Sequence, residues 1–86
     1  MRKKLEQLAE ERGIEFYFAD GFDDAIVGLT NDGENYNVVY SQERCLQCLV
    51  KDGMDQDEAH EYLEYNVFNA FYGPSSPVYI ETLDDY

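Results

Sequence analysis

After Lys51 the sequence contains no lysine or arginine, although nine carboxylates follow it. Over the whole chain six basic residues face 19 acidic ones, a formal charge of -13. A field of that size repels nucleic acid and anionic membrane, so direct binding to either is not expected. It favours a protein with a basic surface as partner and makes the C-terminal part the anionic pole. The same charge also serves solubility or adaptation to a salty cell interior, and both explanations stand at this point. Long apolar runs are missing too, and Met1-Arg2-Lys3-Lys4 leads into a polar helix rather than the apolar stretch of a signal peptide. A cytoplasmic location is expected.

Cysteine and histidine are scarce. Cys45 and Cys48 have C-x-x-C spacing, but there is no second pair and the single histidine is His60. Structural zinc needs four ligands, and a thioredoxin-type motif places its thiols at a helix start after a strand. Two reduced core thiols are the plainer reading, with redox use of Cys45 and Cys48 left open. A Cys-His nucleophilic pair would bring His60 to either thiol, yet nothing in the sequence orients such a pair. The P-loop, G-x-G-x-x-G, H-E-x-x-H and nucleophile-elbow patterns are all absent. Asp20, Asp23 and Asp24, and separately Asp52, Asp55, Asp57 and Glu58, gather carboxylates without an EF-hand pattern. The expectation is a non-enzymatic protein with no cofactor and no dedicated metal site.

What the chain does have is enough apolar material for one core: 44% hydrophobic residues, including eight Tyr and five Phe. No repeat, linker or second domain is visible, so residues 1–86 form one domain. Residues 2–12 read as a short peripheral helix with Leu5, Leu8 and Ala9 on one stripe, ended by Gly13. Ile14, Phe16 and Phe18 alternate with Glu15 and Tyr17, a strand pattern. Residues 25–30 and 36–40 give two more strands around Asn31-Asp32-Gly33, a turn signal. Ser41 is placed to cap a helix from Gln42 to about Lys51, with Gly53 beyond it. Asp55 and Glu58 have capping-box spacing at the head of a helix over 55–72, which Gly73-Pro74 closes. Residues 78–82 form a last strand, and 83–86 a flexible acidic tail. The order αβββααβ predicts an α+β domain: a four-stranded, mainly antiparallel sheet with helices on one face.

On the helix over 55–72, a period of 3.6 residues puts Ala59, Tyr62, Leu63, Asn66, Val67 and Ala70 on the sheet-facing stripe. An unpaired Asn66 amide there would cost roughly 1–3 kcal/mol, so it should bond a backbone group or lie at a pocket. The opposite face carries Asp57, Glu61, Glu64, Tyr65, Phe68 and Tyr72. Carboxylates mixed with large rings on an outer face mark a candidate partner-binding surface, because rings are enriched in binding hot spots. The competing explanation is that the N-terminal helix covers Tyr65, Phe68 and Tyr72.

Asp20-Gly21-Phe22-Asp23-Asp24-Ala25-Ile26-Val27-Gly28, Val38-Val39-Tyr40, Asp52-Gly53-Met54 through Glu58-Ala59, and Tyr65-Asn66-Val67 together resemble small acidic proteins of unassigned function from bacteriophages and bacteria. The similarity spans about residues 18 to 80, mostly turns, caps and core, and brings no catalytic or binding residues with it. It implies a phage or mobile-element setting, hence the host cytoplasm, where small acidic proteins block host enzymes. The functional expectation is an acidic binding protein of phage type that inhibits a host nucleic-acid-binding protein. It would do so by anionic, nucleic-acid-like mimicry, with aromatic anchors. The alternative is a structural or assembly protein that self-associates, or docks in a larger particle, through the aromatic face. The acidic rim disfavours a tight homodimer, so weak or no homo-oligomer is expected.

Overall fold

A computed structural model describes residues 1–83, so the expected acidic tail lies outside the described residues apart from Leu83. The elements run α1 (Arg2–Arg12), a 3-10 turn (Asp23–Ala25), β1 (Ile26–Asn31), β2 (Tyr36–Ser41), α2 (Gln42–Lys51), α3 (Gln56–Tyr62), a π-helical turn (Leu63–Val67) and β3 (Val78–Ile80). The domain is α+β, but its sheet has three strands in the order β1-β2-β3 rather than four. β1 and β2 form the antiparallel hairpin, with a bulge at Val27 between the Ile26–Tyr40 and Gly28–Val39 pairs. β3 pairs with β2 in parallel, so the sheet is mixed. The parallel pairing follows from the connection: α2 and α3 carry the chain back across before β3 begins.

The missing strand is the segment Ile14–Phe18. Its alternation is real, because Ile14, Phe16 and Phe18 are half-buried while Glu15 and Tyr17 are exposed. Alternating burial needs only an extended chain with one side on the core, however, and a ladder needs a neighbouring strand. Among the described residues the segment makes two backbone bonds: Ile14 N–H to the Ala9 carbonyl at the end of α1, and Tyr17 N–H to the Ser75 carbonyl. Phe16 and Phe18 instead meet edge to face, with centroids 5.5 Å apart.

Local chemistry accounts for the helix ends. Gly13 sits in the left-handed region at φ 65°, where a side chain would be strained, and its N–H and that of Ile14 both reach the Ala9 carbonyl. The Ser41 hydroxyl accepts from Arg44 N–H at the head of α2. Asp55 caps α3, with its carboxylate accepting from Asp57 N–H. The core joins Leu5 of α1, Phe22, Ala25, Ile26 of β1, Val38 and Tyr40 of β2, Cys45 and Leu46 of α2, and Ala59, Leu63 and Val67.

The third helix does not reach residue 72. After Tyr62 the backbone widens into the π turn, where Phe68 N–H bonds the Leu63 carbonyl at 2.7 Å. The Asn69 side-chain amide donates to the Glu64 carbonyl at 2.6 Å. Residues 69–77 then form a loop closed by Ser76, whose hydroxyl accepts from Tyr72 N–H and donates to the Gly73 carbonyl. Gly73 adopts φ 112°, a conformation that disfavours any side chain there.

Candidate functional site

The π turn changes which rings face outward. In an α-helix Phe68 would lie opposite Leu63, but an i to i+5 bond stacks residue 68 over residue 63 instead. Leu63 is buried, and Phe68 turns inward beside it, half-buried, with its ring 4.9 Å from that of Tyr79. Phe68 therefore leaves the expected outer face. Tyr65 remains on it at 79% exposed and Tyr72 at 59%, and Asp57, Glu61 and Glu64 are also exposed. α1 thus does not cover Tyr65 or Tyr72. Phe71 is exposed too, and so is Tyr62, which the helical period had assigned to the sheet-facing stripe. Ala59, Leu63 and Val67 keep their buried places.

Two depressions flank Tyr62 and Asn66. One is a shallow groove of about 330 Å³ lined by Met54, Glu58, Glu61, Tyr62, Tyr65 and Asn66. It brings Glu61 and Tyr65 of the expected set together with Met54, Glu58, Tyr62 and Asn66, which are outside it. The other is a cleft of about 410 Å³ between the segment 17–22 and the end of the third helix, with Tyr17, Tyr62, Tyr72 and Tyr79 among its walls. Asn66 lines both but is exposed, so like Tyr62 it leaves the expected sheet-facing stripe and carries no buried amide in need of a partner.

Identifiable bonds fix the backbone of two walls of the cleft, the segment 17–22 and the loop that carries Tyr72. The fully buried Tyr40 of β2 aims its hydroxyl at the backbone of the facing segment and accepts from Ala19 N–H at 2.7 Å. Asn37 of β2 donates its side-chain amide to the Pro74 and Ser76 carbonyls, which holds the loop carrying Tyr72. The bond from Tyr17 N–H to the Ser75 carbonyl ties the two sides together, and the Tyr17 and Tyr72 rings lie 5.9 Å apart, tilted by 44°. At the rim, Arg2 of α1 pairs with Asp20 and Asp23 at 3.3 and 3.1 Å, and its guanidinium lies 4.3 Å from the centre of the Phe18 ring. The hydrogen bond to Asp23 leads the effects that raise the Arg2 pKa.

The thiols lie elsewhere. Cys45 is buried, and burial pushes it up to about 12; Cys48 is half-buried and shifts upward for the same leading reason. Both are therefore held as neutral thiols near pH 7, when nucleophilic or redox use needs the thiolate. Among the described residues no three His, Cys, Asp or Glu side chains converge to hold a metal ion. In the loop 20–24, Asp20 and Asp23 turn to Arg2 instead. No helix among the described residues is long and apolar enough to cross a membrane.

Sequence reasoning missed Tyr17, Tyr62 and Tyr79 as surface or cleft residues. One signal for them existed: eight tyrosines are more than a domain of this size readily hides, since each buried hydroxyl needs a partner. Comparison with protein-family models, curated proteins and solved structures finds no match to this chain.

Proposed function

We propose that this protein is a non-enzymatic binding module for a basic protein surface, which it occupies in place of nucleic acid. The observation that carries this reading is the groove on α3 and its π turn, where Glu58 and Glu61 lie beside Tyr62 and Tyr65 on one exposed surface. Carboxylates there stand where phosphates would meet lysine or arginine, while the rings supply area that is desolvated on contact. Charge governs the rate and salt dependence of encounter; the rings govern how long the complex lasts. The net charge of -13 supports the choice of a basic partner and opposes direct binding to nucleic acid. In the phage setting, the partner would be a nucleic-acid-binding protein of the host.

The test is retention of basic proteins from a bacterial lysate on the immobilised chain, compared with a Glu61→Lys/Glu64→Lys variant and with Tyr65→Ala. A genuine partner is retained by the wild type, lost from the charge-reversed surface, weakened by Tyr65→Ala and displaced by a DNA or RNA oligonucleotide. Equal retention by all three proteins, or indifference to the oligonucleotide, contradicts the proposal.

A further inference from the structure

The cleft beside the groove has a more specific chemistry than the surface around it. Its walls are mainly aromatic, Asn66 lines it, and among the described residues Asp20 is its only charged lining residue. Rings present negative faces, and a cation over them within about 6 Å is attracted in proportion to how far it is desolvated. Its volume of about 410 Å³ falls within the range of small-ligand sites, about 300–1,000 Å³. That is ample for the end of one long side chain.

The protein already uses part of this chemistry on itself. Arg2 rests on Phe18 and pairs with Asp20, and both of those residues line the cleft. The Asp20 side chain is 91% exposed, and an ion pair so exposed contributes little, so a second cation can exchange for Arg2 at small cost. The bonds from Tyr40, Asn37 and Ser76 fix the backbone at Ala19 and in the loop that carries Tyr72, which sets where the Tyr17 and Tyr72 rings start from.

We infer that the tyrosine cleft seats a single guanidinium or alkylammonium side chain of the protein partner, over the rings of Tyr17, Tyr62 and Tyr72 and against the carboxylate of Asp20. This rests on the proposed binding of a basic protein and locates the anchoring contact one step away from the acidic groove. Asn66, shared by both depressions, lies at the junction between anchor and groove. Arg2 is then an internal competitor at the rim.

The probe is a capped Gly-Arg-Gly peptide, followed by NMR on the labelled full chain, with the citrulline peptide as its neutral isostere. The arginine peptide should give saturable shifts at Tyr17, Tyr62, Asn66 and Tyr72, and the citrulline peptide none. Asp20→Asn and Tyr62→Ala, both at exposed positions, should each weaken binding about 3- to 30-fold, the range expected for such contacts. Arg2→Gln should strengthen it about 2- to 3-fold beyond Lys3→Gln, which makes the same charge change on an exposed residue away from the cleft. Shifts spread over the acidic surface, with Asp20→Asn and Tyr62→Ala binding like the wild type, would overturn the inference. If a longer Arg/Lys-rich peptide still binds the groove in that case, the proposed function survives without the cleft. If that peptide does not bind either, both readings fall.

Discussion

Tyr40 joins core and cleft through one atom. Its ring is fully buried in the sheet and its hydroxyl accepts the Ala19 N–H, so burial raises its pKa while that bond opposes the rise. Tyr40→Phe keeps the packing and leaves the Ala19 donor unpaired, which should cost about 1–2 kcal/mol in a urea titration. The loss should be accompanied by shifts along residues 17–22, the wall that this bond secures. Cys45 gives a second residue-scale prediction. Its folded-state value of about 12 lies above the ordinary 9.0, so the neutral thiol is favoured by folding. Below pH 9 that contribution is fully present, and it is lost as pH rises toward 12. Cys48, Tyr40 and Tyr79 shift in the same direction, with burial the leading cause in each. Urea midpoints should therefore fall above about pH 9, and Cys45→Ala should flatten the fall although it lowers stability at neutral pH. A midpoint constant up to pH 11 would show that these groups are not shielded as described.

Among the elements, the segment Ile14–Phe18 separates patterning from pairing. Its amides should exchange with solvent much faster than those of β2, which is bonded on both sides. Protection equal to that of β2 would mean that the segment is a fourth strand after all. Much else at this scale was legible in the sequence, because it is written in single residues: Gly13 ends α1, Ser41 starts α2, Asp55 starts α3, and the hairpin turns through Asn31-Asp32-Gly33. The Asp32 carboxylate accepts from Glu34 and Asn35 N–H, and those two bonds lower its pKa. The π turn was not legible. Choosing the Leu63 carbonyl for Phe68 N–H depends on packing against Tyr79, which arrives from β3. That choice moved Phe68 off the candidate surface, ended α3 at Tyr62 and the π turn at Val67, short of residue 72, and left Tyr62 exposed. The cleft could not be read from periodicity either, since Tyr17, Tyr62, Tyr72 and Tyr79 come from four separate parts of the chain.

At the scale of the whole molecule, a charge of -13 is carried by a body of about 40 × 24 × 22 Å. Self-association through the rings of α3 would bring Glu61 and Glu64 of two copies together, so sedimentation should show a monomer at low salt, with any pairing confined to high salt. Such a field reaches only about a Debye length, roughly 10 Å at 0.1 M salt, so partner binding that depends on it must weaken steeply as salt is added. The most direct measurement is the affinity of a captured basic partner across a salt series, for the wild type and for Glu61→Lys/Glu64→Lys. The expected result is a steep loss of wild-type affinity with salt, and a charge-reversed variant at least about 10-fold weaker at low salt whose affinity hardly responds to salt. Affinities that are insensitive to salt, and equal for the two proteins, would contradict binding through this acidic surface.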